Sequence, residues 1–310
     1  MRIEDVAESR RWHVPNTGPT PGDVEIAGWD FGGQGDLALL QHANGMCAAV
    51  WAPVAVALRE HFRVIALDCR GHGDSQGLTV PEDYAWTMLI ADIEQVAKAI
   101  LEEKGESRFA LALGSSFGSI LLAGTEAKCP GLFERVVMLD PPIHPTVELL
   151  EKMGVEMPVQ PESQRDQLVA QTLKRKYVWP SRDAARSAWR SKPLFAPWQD
   201  SAFDLYLNAG MRDLPDGSVE LKCHPTVEAH IFSSTGSFGL FDYAPAVQAP
   251  VELVHAMRGH FPGDFYAAIA TVFPNGRLHR MDAGHMLPLE VPEAVVKLVL
   301  ETTGRGTAAA

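Results

Sequence analysis

The feature that most constrains this chain is a repeated alternation between short aliphatic runs and longer amphipathic stretches. The short runs predict strands at 37–41, 63–67, 109–113, 136–139, 251–254 and 277–281. The longer stretches predict helices at 50–60, 86–103, 117–128, 264–272 and 292–301. Strands that are separated by helices in this way form a mostly parallel sheet covered by helices on both faces. The predicted fold class is therefore α/β.

The alternation is interrupted between residues 143 and 244, in a segment that is richer in proline, arginine and aromatic residues. Short helices are predicted there, for example at 164–176 and 182–189. An insertion of this size after a strand end lies over the carboxyl edge of the sheet, where open α/β folds bind ligands. The chain is therefore predicted to consist of a core, 1–142 and 245–310, and a helical lid, 143–244.

One short motif predicts a nucleophile. The strand at 109–113 runs directly into the residues GSSFG at 114–118, and a predicted helix follows at once. Glycines on both sides of Ser116 allow a tight strand-to-helix turn that exposes the hydroxyl, whereas elsewhere the same pattern is an ordinary turn. The helix N-terminus directs free N–H groups toward developing negative charge. Ser116 is the predicted nucleophile, and Ser115 is the alternative if the register is shifted.

Four stretches together resemble the α/β-hydrolase fold family, in its lidded esterase and lipase-like branch. They are HANG at 42–45, DCRGHGDS at 68–75, GSSFG at 114–118 and DAGHMLPLE at 282–290. Their order and spacing are similar to the family from about residue 36 to residue 302. The resemblance implies that 68–75, although it contains His72 and Asp74, is a structural turn supporting the loop at 42–45.

The resemblance also implies a catalytic base. A serine hydroxyl needs a base to take its proton, and histidine suits this task because its reference pKa lies near 6.5. His285 follows a strand and a glycine on the loop where the family carries its catalytic histidine. The remaining histidines are not assigned catalytic roles, among them His72, His224, His255 and His260.

The acid that orients His285 has two candidates. Family members usually supply it just after the strand at 251–254, but residues 255–263 contain no carboxylate. Asp140 ends the strand at 136–139 at the same sheet edge as Ser116, a position that some family members use, although Asp-Pro is also a frequent structural strand end. Asp264 lies near the usual site but precedes a helical run, where aspartate is a common N-cap. Asp140 is preferred, and both preserve the chain order of serine, acid and histidine.

Acyl transfer creates an oxyanion that needs preorganised donors. The backbone N–H of Phe117, the residue after the nucleophile, is one predicted donor. The resemblance assigns the second donor to Asn44, within the loop Asn44-Gly45-Met46, although Asn-Gly is also a common turn pair.

Charge and cysteine usage exclude several other classes of protein. The 310 residues contain 27 Lys and Arg and 39 Asp and Glu, which gives a net charge of −12. An acidic chain repels phosphate, so neither nucleic acid nor an anionic membrane is an expected partner. The four cysteines form no CxxC, and no metal or cofactor is expected.

The N-terminus lacks the apolar core of a secretory signal, so a cytoplasmic location is predicted. The sequence also allows a homodimer.

These observations predict a cofactor-independent serine hydrolase acting on small-molecule carboxylic esters or lactones through an acyl-enzyme. The same residues could instead carry out C–C bond hydrolysis, amide hydrolysis or perhydrolysis. A protein of another class, a ligand receptor that keeps the three residues but turns over little substrate, is a further alternative.

The side chains of the predicted lid bear on the substrate. Its aromatic residues favour an apolar acyl or aryl group, although any one of them could serve only the lid core: Tyr177, Trp179, Trp189, Phe195, Trp198, Phe203 and Tyr206. The cations Lys174, Arg175, Arg182 and Arg186 are predicted on the outer surface of the lid, unless one of them binds a substrate carboxylate.

Overall fold

The computed structural model describes residues 2–142, 161–234 and 240–306. Its strands are β1 (Glu8–Pro15), β2 (Asp23–Gly32), β3 (Leu37–Gln41), β4 (Arg63–Leu67), β5 (Leu111–Ser115), β6 (Val136–Leu139), β7 (Val178–Trp179), β8 (Met211–Asp213), β9 (Val219–Leu221), β10 (Val251–Ala256) and β11 (Gly276–Met281). The six predicted strands are all present, and β5 is shifted two residues toward Ser116.

The helices are α1 (Ala52–Leu58), α2 (Trp86–Lys104), α3 (Phe117–Lys128), α4 (Pro161–Leu173), α5 (Arg182–Trp189), α6 (Asp200–Ala209), α7 (Pro225–Ser233), α8 (Leu240–Tyr243), α9 (Gly263–Ala270), α10 (Leu287–Glu290) and α11 (Pro292–Thr302). The longest of these, α2, buries Leu89, Ile93 and Ile100 along one face. It ends at Gly105, whose φ of 69° is a left-handed cap that glycine adopts without strain. The helix confirms the amphipathic stretch predicted at 86–103, and the glycine at its end is the residue type that favours such a stop.

The main sheet has the strand order β1-β2-β4-β3-β5-β6-β10-β11. All pairs from β4 to β11 along this order are parallel, as predicted. The antiparallel strands β1 and β2 extend one edge and were not predicted. The reason is that β1 is an edge strand with mostly exposed, charged residues, so it lacks the continuous apolar run of a strand buried on both faces.

Hydrophobic layers cover both faces of this sheet, because successive side chains of a strand point to opposite sides. Leu39 of β3 packs into the layer that contains Leu89 of α2 and the apolar face of α3. Its neighbour Leu40 packs into the opposite layer, with Val54 of α1 and Val295 of α11. The mostly parallel sheet with helices on both faces is therefore the predicted architecture.

The described part of the predicted lid contains helices α4 to α8 and a small sheet in the order β7-β9-β8. This sheet is antiparallel and was not predicted, because strands of two or three residues leave no recognisable period. Aromatic side chains form the core of the segment, where the Trp189 and Phe195 rings stack with centroids 5.5 Å apart. Residues 143–160 and 235–239 of the predicted lid lie outside the described residues.

Three of the four cysteines, Cys47, Cys69 and Cys223, are buried, and all four are free thiols. Within the described ranges, no helix has the length and apolar character needed to cross a membrane.

Candidate active site

Ser116 occupies a strained turn between β5 and α3. Its φ of 51° and ψ of −124° are unusual for a residue with a side chain. A Cβ added to Gly114 would lie 2.3 Å from Cα of Ser119, and one added to Gly118 would lie 2.4 Å from the carbonyl oxygen of Gln41. Only glycine fits at either position, which explains the spacing of the motif.

The hydroxyl of Ser116 lies within hydrogen-bond distance of an imidazole. Its Oγ is 2.9 Å from Nε2 of His285, and Nδ1 of the same ring is 2.6 Å from Oδ2 of Asp140. Ser116, His285 and Asp140 thus form one continuous hydrogen-bonded row. The alternative, Ser115, is the last residue of β5, and its buried hydroxyl bonds to no described residue.

The loop that carries His285 is fixed by a carboxylate further along the chain. Glu290, at the end of α10, accepts hydrogen bonds from the backbone N–H of Gly284 at 2.7 Å and of Met286 at 3.2 Å. These bonds hold the residues on both sides of His285. The imidazole is therefore held against Ser116 by its own loop.

Asp140 is buried at the end of β6, where its backbone turns to a φ of 45°. Its Oδ1 accepts hydrogen bonds from the N–H of Ala256 at 2.9 Å and from the hydroxyl of Tyr266 at 2.7 Å. Burial and the neighbouring Asp140 charge raise the pKa of Tyr266, so its hydroxyl stays protonated and donates. Both carboxylate oxygens thus have hydrogen-bond partners, which fix the orientation of the group toward His285.

The other candidate acid, Asp264, is exposed in the first turn of α9 and does not bond to His285. The expected N-cap role of Asp264 is wrong as well, because Pro262 is the N-cap of this helix. The backbone just after β10, where family members usually carry the acid, passes close to Asp140. A Cβ added to Gly259 in this segment would lie 2.6 Å from Oδ2 of Asp140.

The two predicted oxyanion donors, Phe117 and Asn44, have backbone N–H groups with no partner among the described residues. Phe117 begins α3, so its N–H has no partner within the helix. In the loop 44–46, the N–H of Gly45 donates to Nε2 of His72 at 3.0 Å, and that of Met46 donates to the carbonyl of Ala43 at 3.1 Å. The N–H of Asn44 is left with no partner among the described residues. Of the three residues, Asn44 is thus the one whose N–H is available to a ligand.

Two buried histidines support this loop. Nε2 of His42 accepts from the N–H of Cys69 at 2.9 Å, while His72 accepts from Gly45. Burial lowers the pKa of His42 to about 3, with a further contribution from His72, and burial lowers the pKa of His72 to about 4. Both rings are neutral at pH 7 and serve as acceptors, which fits the supporting turn expected at 68–75.

A cavity of about 710 Å³ opens over Ser116, and residues of both the predicted core and the predicted lid line it. Asn44, Phe117 and His285 contribute to its wall. Apolar side chains make up most of the remaining lining: Ala43, Met46, Trp86, Pro142, Leu168, Trp189, Pro193, Leu194, Phe195, Leu221, Ile231, Phe232, Phe261 and Met286.

The predicted lid aromatics divide into two groups. Trp189, Phe195 and Tyr206 line the cavity. The other four do not belong to its described lining. Trp198 and Phe203 pack against Phe195 in the core of the segment, Trp179 packs against Trp189, and Tyr177 packs against His224. The division depends on how the short helices are arranged in space.

The charged lid residues were predicted correctly with one exception. Arg182 pairs with Asp213, and Arg186 pairs with Asp204, on the lid surface. Arg175 instead lines the cavity. The expectation that it lies on the outer surface is therefore wrong, because the short segment after α4 turns it inward.

Sequence reasoning missed three further residues of the site. Tyr266 and Glu290 hold Asp140 and the His285 loop, and His260 lines the cavity with its ring centroid 5.1 Å from that of His285. Burial and His285 lower the pKa of His260. No local motif marks Tyr266 or His260, although Glu290 ends the stretch 282–290. Among the described residues, no group of three or more His, Cys, Asp or Glu is placed to hold a metal ion.

Comparisons with known proteins identify the family of the chain. The model of the alpha/beta hydrolase family matches residues 37–298. A stretch of 93 residues is 38% identical to the pimeloyl-[acyl-carrier protein] methyl ester esterase of Vibrio cholerae, covering 30% of this chain and 32% of that protein. Another of 108 residues is 30% identical to the (E)-2-((N-methylformamido)methylene)succinate hydrolase of Acinetobacter baylyi, covering 35% and 38%. The matches thus span about a third of these curated relatives.

Solved structures match over almost the whole chain. The crystal structure of E-2-(acetamidomethylene)succinate hydrolase has a TM-score of 0.75 at 19% identity, covering 95% of this chain and 98% of that one. The thioesterase domain from the curacin biosynthetic pathway has a TM-score of 0.73 at 16% identity, covering 95% and 99%. At these identities the likeness establishes a shared fold.

Proposed function

The chain belongs to the alpha/beta hydrolase family, and from that premise we propose that it is a serine hydrolase that cleaves carboxylic esters or lactones with an apolar acyl or aryl group. The observation that carries this proposal is the hydrogen-bonded row of Ser116, His285 and Asp140 at a largely apolar cavity. Relatives named as an esterase and a thioesterase support acyl transfer as the type of reaction.

In the first half of the reaction, Oγ of Ser116 attacks the substrate carbonyl carbon while Nε2 of His285 takes the hydroxyl proton. Asp140 accepts a hydrogen bond from Nδ1–H, which fixes the required tautomer and stabilises the imidazolium. The carbonyl oxygen becomes an oxyanion that accepts hydrogen bonds from the N–H groups of Phe117 and Asn44. The imidazolium then protonates the leaving alcohol, and the acyl group remains on Ser116.

The second half repeats these steps with water. His285 takes a proton from the water molecule, whose oxygen attacks the acyl carbon and forms a second oxyanion at the same two N–H groups. Collapse of this intermediate breaks the bond to Oγ of Ser116, which recovers its proton from His285. The products are a carboxylic acid and the free enzyme.

A fluorophosphonate probe followed by peptide mapping tests the proposal. We expect the probe to label Ser116 in the wild-type protein and to label nothing in Ser116→Ala. Ser115→Ala is the matched control and should be labelled like the wild type. A failure to label wild-type protein that is folded, or labelling at another serine, would refute the proposal.

Turnover distinguishes an enzyme from a ligand receptor. With p-nitrophenyl butyrate, we expect a burst of p-nitrophenol and continued release, both absent in Ser116→Ala. A receptor would give at most one equivalent. The p-nitroanilide of the same acid, assayed in parallel, separates ester hydrolysis from amide hydrolysis.

A further inference from the structure

The charges that line the cavity contrast with the charge of the whole chain. The described lining includes three cations, Arg165, Arg175 and Lys192, against a single carboxylate, that of Glu228. The chain as a whole carries a net charge of −12. Cations gathered at a cavity with apolar walls concentrate a positive potential there, which attracts anions. The cavity is therefore electrostatically suited to a negatively charged substrate.

Arg175 is the cation most closely integrated into this site. Its side chain is about one-third exposed, at 34%, and Nη2 lies 2.6 Å from Oε1 of the buried Glu228. A guanidinium has five N–H donors, and this ion pair uses one of them. The other four bond to no described residue. By contrast, Arg165 pairs with Asp166 at 3.6 Å, and Lys192 is exposed.

The ion pair is tied to the loop that carries the proposed oxyanion donor. The backbone carbonyl of Glu228 accepts a hydrogen bond from Nδ2 of Asn44 at 3.1 Å. The Glu228 carboxylate packs on Gly45, where an added Cβ would lie 3.0 Å from Oε1. Tyr206 also donates to the carbonyl of Gly45 at 3.2 Å. Arg175 is thus separated from this loop by a single carboxylate group.

We propose that Arg175 binds a carboxylate carried by the substrate, so that the preferred substrates are anionic esters such as half-esters of dicarboxylic acids. The inference rests on the proposed function and adds the substrate class. A carboxylate suits the site because the planar guanidinium can donate two parallel hydrogen bonds to it. The apolar walls then contact the hydrocarbon between the carboxylate and the scissile ester.

Matched pairs of esters test the inference. The mono-p-nitrophenyl esters of succinate, glutarate and adipate are each compared with the neutral p-nitrophenyl ester of the same chain length: butyrate, valerate or hexanoate. A leaving-group arm compares 4-carboxyphenyl butyrate with phenyl butyrate. We expect the wild type to have a higher kcat/KM for the anionic member of at least one pair. In Arg175→Gln, the ratio of anionic to neutral kcat/KM should fall about 10- to 100-fold, the effect typical of a charge-assisted hydrogen bond.

Further variants control for charge and folding. Arg175→Lys should recover part of the preference, because it keeps the positive charge without the planar group. Lys174→Gln removes an exposed neighbouring cation and should leave both rates unchanged. Because Arg175→Gln leaves the buried Glu228 without its cation and could unfold the chain, the double variant Arg175→Gln/Glu228→Gln removes both charges and should lose the same preference.

The outcomes separate this inference from the proposed function. If wild-type Ser116 is labelled and neutral esters are cleaved, but the anionic preference is absent or survives both Arg175→Gln and the double variant, the role of Arg175 is refuted and the hydrolase remains. If Ser116 is not labelled and no ester is cleaved, the proposed function itself fails.

Discussion

Asp140→Asn gives the sharpest test of the hydrogen-bonded row. The two donors at Oδ1, the N–H of Ala256 and the hydroxyl of Tyr266, would hold the amide oxygen of the new asparagine at that position. The amide nitrogen would then face Nδ1 of His285. Because an amide nitrogen only donates, it forces Nδ1 to accept and places the ring proton on Nε2. In that tautomer, His285 cannot take the proton of Ser116.

The expected cost follows from this change of tautomer. When a catalytic histidine is held in the wrong tautomer, kcat falls by about 10³- to 10⁴-fold. This corresponds to a loss of about 4–5.5 kcal/mol of transition-state stabilisation. Steady-state hydrolysis of p-nitrophenyl butyrate measures it, and the rate of fluorophosphonate labelling should fall in parallel. Urea unfolding shows whether the variant keeps its fold.

Asp264→Asn is the matched control, since it changes an exposed carboxylate near the usual acid position. We expect its kcat to stay within about twofold of wild type, as for most exposed substitutions. The reasoning would be refuted if folded Asp140→Asn kept more than about a tenth of the wild-type kcat, or if Asp264→Asn lost the greater share.

Three further changes follow from the same geometry. Tyr266→Phe removes one of the two hydrogen bonds to Oδ1 of Asp140, and steady-state kinetics should show a fall in kcat of about tenfold with KM unchanged. His72 has a pKa of about 4 in the folded protein and 6.5 in the unfolded chain. Its contribution to stability is therefore fully present above pH 6.5 and is lost as the pH falls toward about 4, because the unfolded chain then binds the proton more readily. His72 alone should account for a loss of about 2 kcal/mol at pH 5 in urea unfolding, and His72→Gln, which does not titrate, should reduce the pH dependence by that amount while the share of His42 remains. Gly118→Ala should destabilise the chain by about 3 kcal/mol, because its Cβ meets backbone, whereas Gly105→Ala, with open space at φ 69°, should cost about 1 kcal/mol in the same assay.

Each of these expectations has a result that contradicts it. An unchanged kcat in Tyr266→Phe would mean that the Ala256 N–H alone holds Asp140. Equal pH dependence in the wild type and His72→Gln would mean that His72 does not resist protonation. Equal stability of the two glycine variants would remove the steric explanation of the motif.

Features that depend on neighbouring residues were predictable from the sequence. The parallel strands follow from apolar runs, α2 from its period and its terminal Gly105, and the turn at Ser116 from two flanking glycines. In each case the physical cause acts over a few residues, through side-chain periodicity and steric exclusion of a Cβ. The edge strand β1 shows the limit, since its pairing with β2 is not visible in its own charged residues.

Tertiary structure decided which of the two carboxylates contacts His285. Asp140 and Asp264 both preserve the chain order, and only the fold brings a carboxylate that is 145 residues from His285 into contact with its ring. Tyr266 reaches the same carboxylate from a different helix, with no motif to announce it. Contacts of this kind depend on which segments pack together, which no local pattern specifies.

The arginines of the predicted lid also show that tertiary packing, and not the local sequence, decides where a side chain lies. Arg175, Arg182 and Arg186 look alike in sequence, since each lies in a short polar segment suited to a solvated surface. The fold leaves two of them on the outside and turns Arg175 toward Glu228 and the cavity. The sequence by itself determined the parallel sheet, the strained turn at Ser116 and the histidine loop, because these depend on local sterics and hydrophobic period. The carboxylate that contacts His285, the tyrosine that supports it and the charge inside the cavity were decided only by packing between segments far apart in the chain.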